Sequence, residues 1–87
     1  MPTDLFEKYH ATEKMVTEAE YTIINFLRAS PETYYARKEI ARRAVRRQEY
    51  EENPHWADAA LEGLLLKAII EKNENGLYRL KQDAEIP

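Results

Sequence analysis

The chain lacks cysteine altogether, and it has one serine and two glycines among its 87 residues. Without cysteine it can form no disulfide, no thiolate metal site and no thiol nucleophile. Gly63 and Gly76 stand far apart, so there is no glycine-rich loop of the kind that cradles phosphates. Ser30 precedes Pro31 at the predicted end of a helix, where no neighbouring base can be placed to activate it. We therefore expect no enzymatic activity and no cofactor.

Long apolar runs are also missing. The longest are Leu64-Leu65-Leu66 and Ala68-Ile69-Ile70, whereas about 20 apolar residues are needed to cross a bilayer. The first eight residues, MPTDLFEK, contain no apolar run typical of a signal peptide. We expect a cytoplasmic protein with no membrane contact. Two histidines, His10 and His55, are too few and too far apart in the sequence to predict a metal site.

The composition that remains is typical of a folded soluble protein, with 44% hydrophobic and 33% charged residues. A chain of this length supports a single core and therefore one small domain. We expect a polar segment or short helix over residues 1–16, the folded domain over residues 17–81, and a frayed tail over residues 82–87.

Helical periodicity and capping residues predict three helices. The first begins near Thr17, a suitable N-cap, and ends at Ser30-Pro31 because the residue before proline resists the α conformation. The second covers residues 37–45. The third begins at Asn53-Pro54, where asparagine caps and proline takes the first helical position, and continues to about Lys67. Its core candidates are Trp56, Ala60, Leu61, Leu64, Leu65 and Ala68.

Strand signals are concentrated near the end of the chain. Residues 69–72 and 77–80 flank Asn73-Glu74-Asn75-Gly76, and Asn-Gly is the strongest short signal for a hairpin turn. Residues 33–35, Thr-Tyr-Tyr, favour one more short strand between the first two helices. The polar residues 46–53 are expected to connect the second and third helices. The expected class is α+β and mostly helical.

This order of helix, short strand, two helices and hairpin resembles the winged helix-turn-helix domains of bacterial and archaeal regulators. The resemblance covers residues 17–81, and it is carried by Tyr34-Tyr35 before Arg37-Lys38-Glu39-Ile40-Ala41 and by residues 61–80. It implies three helices with a C-terminal β-hairpin wing, and a small DNA-binding protein of the transcription-regulator kind. In that family the third helix lies in the major groove and the wing reaches an adjacent groove or the backbone. Another small α+β domain with the same elements is the alternative.

The positive charges are concentrated in one segment. The whole chain has a net charge of −3, whereas residues 37–47 contain six cations and one acid and have a net charge of +5. Such density on one helix and its exit is typical of a surface that contacts phosphates. A spacing of four residues aligns Arg42 with Arg46, and Arg43 with Arg47, along neighbouring helical faces. The alternative is a solvated face, neutralised by the acids that follow it between residues 49 and 52.

The candidate DNA-binding residues are the cations of this segment, one histidine and two cations of the wing. They are Arg37, Lys38, Arg42, Arg43, Arg46, Arg47, His55, Lys72 and Arg79. The expected partner is double-stranded DNA, contacted mainly through phosphates, which gives affinity without sequence choice. We expect Trp56, near the start of the third helix, to pack in the core and not to stack on bases.

The outer face of the third helix favours a second hypothesis. It is expected to present His55, Asp58, Ala59, Glu62, Gly63 and Leu66. Its two acids would repel phosphates, so the alternative function is a protein-protein interaction module without DNA binding. A further hypothesis is a homodimer. Its contact surface would be either an apolar stripe of Leu5, Phe6 and Tyr9 or the outer face of the third helix at Ala59, Gly63 and Leu66.

Overall fold

The computed structural model describes residues 16–82, which form an α+β domain containing four helices and a two-stranded antiparallel hairpin. The elements are α1 (Glu18–Arg28), α2 (Arg37–Arg43), α3 (Arg47–Glu52), α4 (Ala57–Leu66), β1 (Ile70–Lys72) and β2 (Tyr78–Leu80). The predicted α+β class is confirmed, and about half of the described residues are helical. The expectations for residues 1–15 and 83–87, including the stripe of Leu5, Phe6 and Tyr9, lie outside the described residues. Within residues 16–82, no helix has the length and apolar character needed to cross a membrane.

Helix α1 begins where its capping residue predicts. The Thr17 hydroxyl accepts a hydrogen bond from the backbone N–H of Glu20 at 3.1 Å, and Glu20 Oε1 accepts one from the Thr17 N–H at 2.9 Å. This reciprocal arrangement satisfies two backbone donors that the first helical turn leaves without partners. The helix then buries Ile23, Ile24 and Leu27 completely, so it supplies one wall of the core.

Residues 46–53 differ most from the prediction. A polar connection is expected there, yet α3 forms within it, so residues 16–82 contain four helices and the prediction of three is wrong. Helix α2 also ends two residues earlier than predicted, and the extended backbone of Arg46 separates it from α3. Helix α3 contains no fully buried residue. Because a periodic apolar pattern is the main sequence signal for a helix, a six-residue helix without one is missed.

Helix α4 begins three residues later than predicted. Asn53 ends α3, and its carbonyl accepts a hydrogen bond from the Trp56 N–H at 3.2 Å across a turn. Trp56 takes the N-cap position of α4 without a side-chain cap, so the prediction that Asn53 caps this helix is wrong. The sequence signal is ambiguous because asparagine and proline also suit the turn between two helices.

The core lies between α1 and α4, with α2 and the hairpin closing it. Its fully buried large side chains are Ile23, Ile24, Leu27, Ile40, Leu61, Leu64 and Ile69. The predicted core positions Ala60, Leu61 and Leu64 of α4 are confirmed, and Trp56 and Leu65 pack against the core while partly exposed. Ala68 is exposed, so its prediction as a core residue is wrong.

Ala68 has a backbone role at the end of α4. Its φ of 60° lies in the left-handed region. The Ala68 N–H donates to the Leu65 carbonyl and the Ile69 N–H donates to the Leu64 carbonyl, both at 3.0 Å. These two bonds define a Schellman motif, in which glycine usually occupies the left-handed position. Here an alanine occupies it, at a conformational cost of about 1–2 kcal/mol for an L-residue.

Replacing Ala68 with glycine should therefore stabilise the protein. We expect the free energy of unfolding to rise by up to about 1 kcal/mol, because relief of the left-handed strain exceeds the added entropy of the unfolded chain. The matched control is Ala59→Gly, at an exposed position inside α4, which should lower stability by about 1 kcal/mol. Urea denaturation measures both. Two destabilising substitutions of similar size would contradict this prediction.

The hairpin pairs Ile70 with Leu80 and Lys72 with Tyr78, and it confirms the predicted strands and turn region. The Gly76 N–H donates to the Asn73 carbonyl at 3.0 Å, and Gly76 has a φ of 79°. The Asn73 side-chain oxygen also accepts from the N–H groups of Asn75 and Leu77, each at 2.9 Å. Positive φ at Asn75, which a two-residue turn would require, is absent. The connection is instead a three-residue loop with glycine in the left-handed position, so Gly76 alone supplies the unusual conformation.

Replacing Gly76 with valine should cost about 1–2 kcal/mol of stability. No atom lies within 4 Å of the position that a Cβ would take, so the whole cost comes from the backbone. Gly76→Asn should cost less, because asparagine tolerates the left-handed region better than a β-branched residue. Thermal melting of the two variants side by side tests this, and identical melting temperatures would show that the turn does not need the positive φ.

The predicted strand over residues 33–35 is reduced to one bridge. The Tyr35 N–H donates to the Tyr78 carbonyl at 2.7 Å, and the Tyr78 N–H donates to the Tyr35 carbonyl at 2.8 Å. This bridge places β2 between Tyr35 and β1. It also brings the start of α2 next to the hairpin. The cations of α2 and those of the hairpin are therefore held in one folded unit.

Candidate nucleic-acid interface

Helix α2 presents its cations to solvent because its two buried residues, Ile40 and Ala41, face the core. Every cation of the segment 37–47 is exposed: Arg37, Lys38, Arg42, Arg43, Arg46 and Arg47. The dense positive segment of the sequence is therefore a positive surface in the fold. It covers α2, its exit and the first residue of α3.

Three of these six cations are paired with acids. Arg43 contacts Glu39 at 2.9 Å and Arg47 contacts Glu51 at 3.0 Å, each one helical turn apart. Arg37 reaches across to Asp58 of α4 at 3.4 Å. The remaining three cations, Lys38, Arg42 and Arg46, have no carboxylate oxygen within 4.0 Å among residues 16–82. We call these three residues the open cations.

Arg43 is held in place by more than its carboxylate. Its guanidinium carbon lies 5.6 Å from the ring centroid of Phe26 and 5.7 Å from that of Tyr35. The two rings themselves contact each other at 4.9 Å between centroids. Cation–π attraction adds to the ion pair and fixes the guanidinium on this aromatic pair. Arg43 is therefore part of the protein's own packing and less able to reach a ligand.

The hairpin contributes two of the predicted cations, Arg79, which is paired with an acid, and Lys72, which is exposed. The Arg79 Nε donates to Glu71 Oε2 at 2.6 Å, and its guanidinium carbon lies 4.6 Å from the Tyr34 ring centroid. The hydrogen bond to Glu71 raises the pKa of Arg79 above the ordinary arginine value. Lys72 is exposed, with its ammonium 5.7 Å from the Tyr78 ring centroid. Lys72 is therefore the better placed of the two predicted wing residues.

His55 lies beside the same acid that Arg37 contacts. Its Nδ1 is 3.4 Å from one oxygen of Asp58, while Arg37 is 3.4 Å from the other oxygen. The imidazole is otherwise open to solvent, with its side chain 81% exposed. Asp58 thus neutralises part of the positive surface at the point where α4 begins.

Gly63 does not lie on the outer face of α4, where the sequence reasoning places it. A Cβ at residue 63 would overlap with Oε2 of Glu20, because α1 and α4 approach closely at this point. The Glu20 side chain is only 5% exposed, and its Oε1 accepts a hydrogen bond from the Lys67 ammonium at 2.5 Å. The small residue therefore leaves room for a buried ion pair inside the protein. The prediction that Gly63 lies on the outer face is therefore wrong, whereas Ala59 and Leu66 are exposed there as predicted.

Tyr50 of α3 belongs to the basic surface, and the sequence reasoning missed it. The side chain is partly buried, and it lines a cleft of about 270 Å³ shared with Arg42 and Arg47. It also lines a second cleft of about 250 Å³ that includes Lys38 and His55. Tyr50 stands three residues after Arg47. This spacing places the two side chains on the same face only if residues 47–52 are helical, which the sequence did not predict.

Trp56 packs as predicted. Its indole Nε1 donates to the Ala41 carbonyl at 2.9 Å, which ties the start of α4 to the end of α2. It also lines a third cleft, of about 350 Å³, whose charged residues are the acids Glu18, Glu49 and Glu52. None of the side chains that line this acidic cleft lines the two clefts around Tyr50, in which the cations stand beside Glu51 and Asp58.

No family model, curated protein or solved structure matches this chain. Within the part of the chain described by the structure, no three His, Asp or Glu side chains come together to hold a metal ion. The function must therefore be inferred from the arrangement of the exposed charges and the aromatic side chains among them.

Proposed function

We propose that this protein is a small winged-helix, transcription-regulator-like protein that binds nucleic acid through phosphate contacts from α2, its exit and the wing. The observation that carries the proposal is the exposure of Lys38, Arg42 and Arg46 without acidic partners among residues 16–82. Double-stranded DNA is the reference ligand for this surface, since phosphates repeat regularly along it.

The fold is compatible with the proposal. The described elements run in the order helix, single bridge, helices and hairpin, which matches the order of a winged helix. Helix α3 is an addition between α2 and α4. It extends the basic surface, because Arg47 and Tyr50 stand on it.

The charges favour an orientation in which α2, and not α4, approaches the phosphates. The exposed part of α4 presents Asp58 and Glu62, which would repel a phosphate backbone. A cation that is already paired brings its own acid toward the phosphates and contributes less net attraction. The open cations and Lys72 are therefore the expected contact residues, and they would contribute affinity without sequence choice.

A titration with a random-sequence duplex tests the proposal. With three or four phosphate contacts, log affinity should fall against log salt with a slope of about −3 to −4. Fluorescence anisotropy at several salt concentrations gives this slope directly. Failure to bind the duplex or heparin even at low salt would overturn the proposal.

One observation favours the second candidate, a protein-protein interaction module on the same scaffold. Leu66 at the end of α4 is 87% exposed, and Glu62 is exposed one turn before it. An exposed leucine next to acids suits a protein surface with matching apolar and basic groups. If this candidate is correct, the protein should not be retained on heparin. Comparing the sedimentation of the parent chain with that of Leu66→Glu shows whether the partner is a second copy of the chain.

A further inference from the structure

Tyr50 stands at the centre of the basic surface. One of its clefts includes Arg42 together with the Arg47–Glu51 pair, and the other includes Lys38 together with the Arg37–Asp58 pair. One open cation therefore lines each of the two clefts. His55, whose side chain is 81% exposed, lines the second cleft and adds another ring. The Tyr50 side chain is partly buried and packs against the core.

This arrangement fits the chemistry of an unpaired nucleotide. A base inside a duplex is stacked on both neighbours and cannot offer its face to a protein side chain. An unpaired base can stack on an aromatic ring while the phosphates on either side of it contact cations. Tyr50 supplies the ring, and the open cations Arg42 and Lys38, one in each cleft, supply the flanking positive charge.

We propose that Tyr50 stacks against an unpaired base, so that the preferred ligand is single-stranded DNA or a duplex with a single-stranded end. The inference rests on the proposed function, because the same cations hold the phosphates in both. It adds a contact that a fully paired duplex cannot make. Stacking on Tyr50 does not require α4 to enter a groove of the DNA. The acids on α4 are therefore compatible with this mode of binding.

The test compares three DNA ligands: an oligothymidylate of about 12 nucleotides, a blunt duplex, and the duplex with a single-stranded overhang. Tyr50→Leu keeps apolar bulk but removes the ring, and it should weaken binding of the oligothymidylate at least about fivefold. The loss of affinity should be larger for the oligothymidylate than for the blunt duplex, and the salt slope for the duplex should keep its value because no cation is removed. Tyr50→Phe keeps the ring and should bind all three ligands like the parent chain.

Tyr21→Leu is the matched control, since Tyr21 is an exposed tyrosine of α1 and lines none of these clefts. It should change no affinity. If Tyr50→Leu proves unfolded, ring-proton NMR of the parent chain replaces it: stacking should shift the Tyr50 signals upfield when oligothymidylate is added. Unshifted ring signals, or equal affinity of folded Tyr50→Leu and Tyr50→Phe for the oligothymidylate, would overturn the inference while duplex binding still supports the proposed function. Absence of binding to all three ligands would overturn both.

Discussion

Replacing Lys67 with methionine should lower the free energy of unfolding by about 2–4 kcal/mol. The methionine keeps the length and apolar contacts of the lysine stem but removes the ammonium. Among residues 16–82, the Glu20 carboxylate, 5% exposed, would then keep the Thr17 N–H as its single hydrogen-bond donor. Removing one partner of a buried pair is costly because the other charge stays buried without compensation.

The control for this substitution is Lys81→Met, at an exposed lysine just after β2. It makes the same chemical change, and its effect should lie within about 0.5 kcal/mol of zero. Denaturant unfolding monitored by Trp56 fluorescence measures both variants. Equal stability of the two variants would mean that Glu20 finds other partners or solvent when the ammonium is lost.

Replacing both Arg42 and Arg46 with alanine should weaken duplex binding roughly 50-fold near 0.1 M salt and reduce the salt slope by about two. Both are open cations, so each substitution should remove one phosphate contact. Neither substitution leaves a carboxylate of residues 16–82 without its ion-pair partner. Because the two residues are exposed, the stability of the fold should change little.

The matched control is the double variant Arg43→Ala with Arg47→Ala, which removes the same charge from the neighbouring positions. Both of these arginines are paired, with Glu39 and Glu51 respectively. Their loss should weaken binding by less than about fivefold, because guanidiniums engaged with Glu39 and Glu51 are expected to make no direct phosphate contact, so only the longer-range, salt-screened attraction is lost. Equal weakening by both double variants would show that only the total charge matters and that pairing does not select the contact residues.

The parts of the fold that the sequence predicts are those with a local chemical signature. Thr17 and Glu20 specify the start of α1 through their reciprocal hydrogen bonds, and glycine at residue 76 specifies the hairpin turn. Helix α3 has no such signature, because it lacks a buried face and follows a run of cations. The left-handed Ala68 is also unpredictable from local preference, since it depends on the burial of Ile69, whose N–H donates to the carbonyl of the buried Leu64.

The candidate interface is predictable in its charge but not in its detail. The distribution of charges along the sequence predicts the positive segment. The helical spacing predicts that its arginines lie along neighbouring faces. Which cations are open depends on Asp58, which is distant in sequence from Arg37, and on the aromatic pair beneath Arg43. The role of Tyr50 depends on α3 and its position over α2, which only the tertiary structure provides.

The close approach of α1 and α4 at Gly63 has a consequence for how this chain can evolve. A larger residue at position 63 requires the Glu20 carboxylate to move away from Lys67 or a shorter residue to replace Glu20, and a shorter residue at position 20 removes the need for an amine at position 67. These three positions should therefore change as a set in divergent copies of the protein. A chimera that takes residues 57–82 from such a copy without its first helix would inherit a mismatched set and fold poorly.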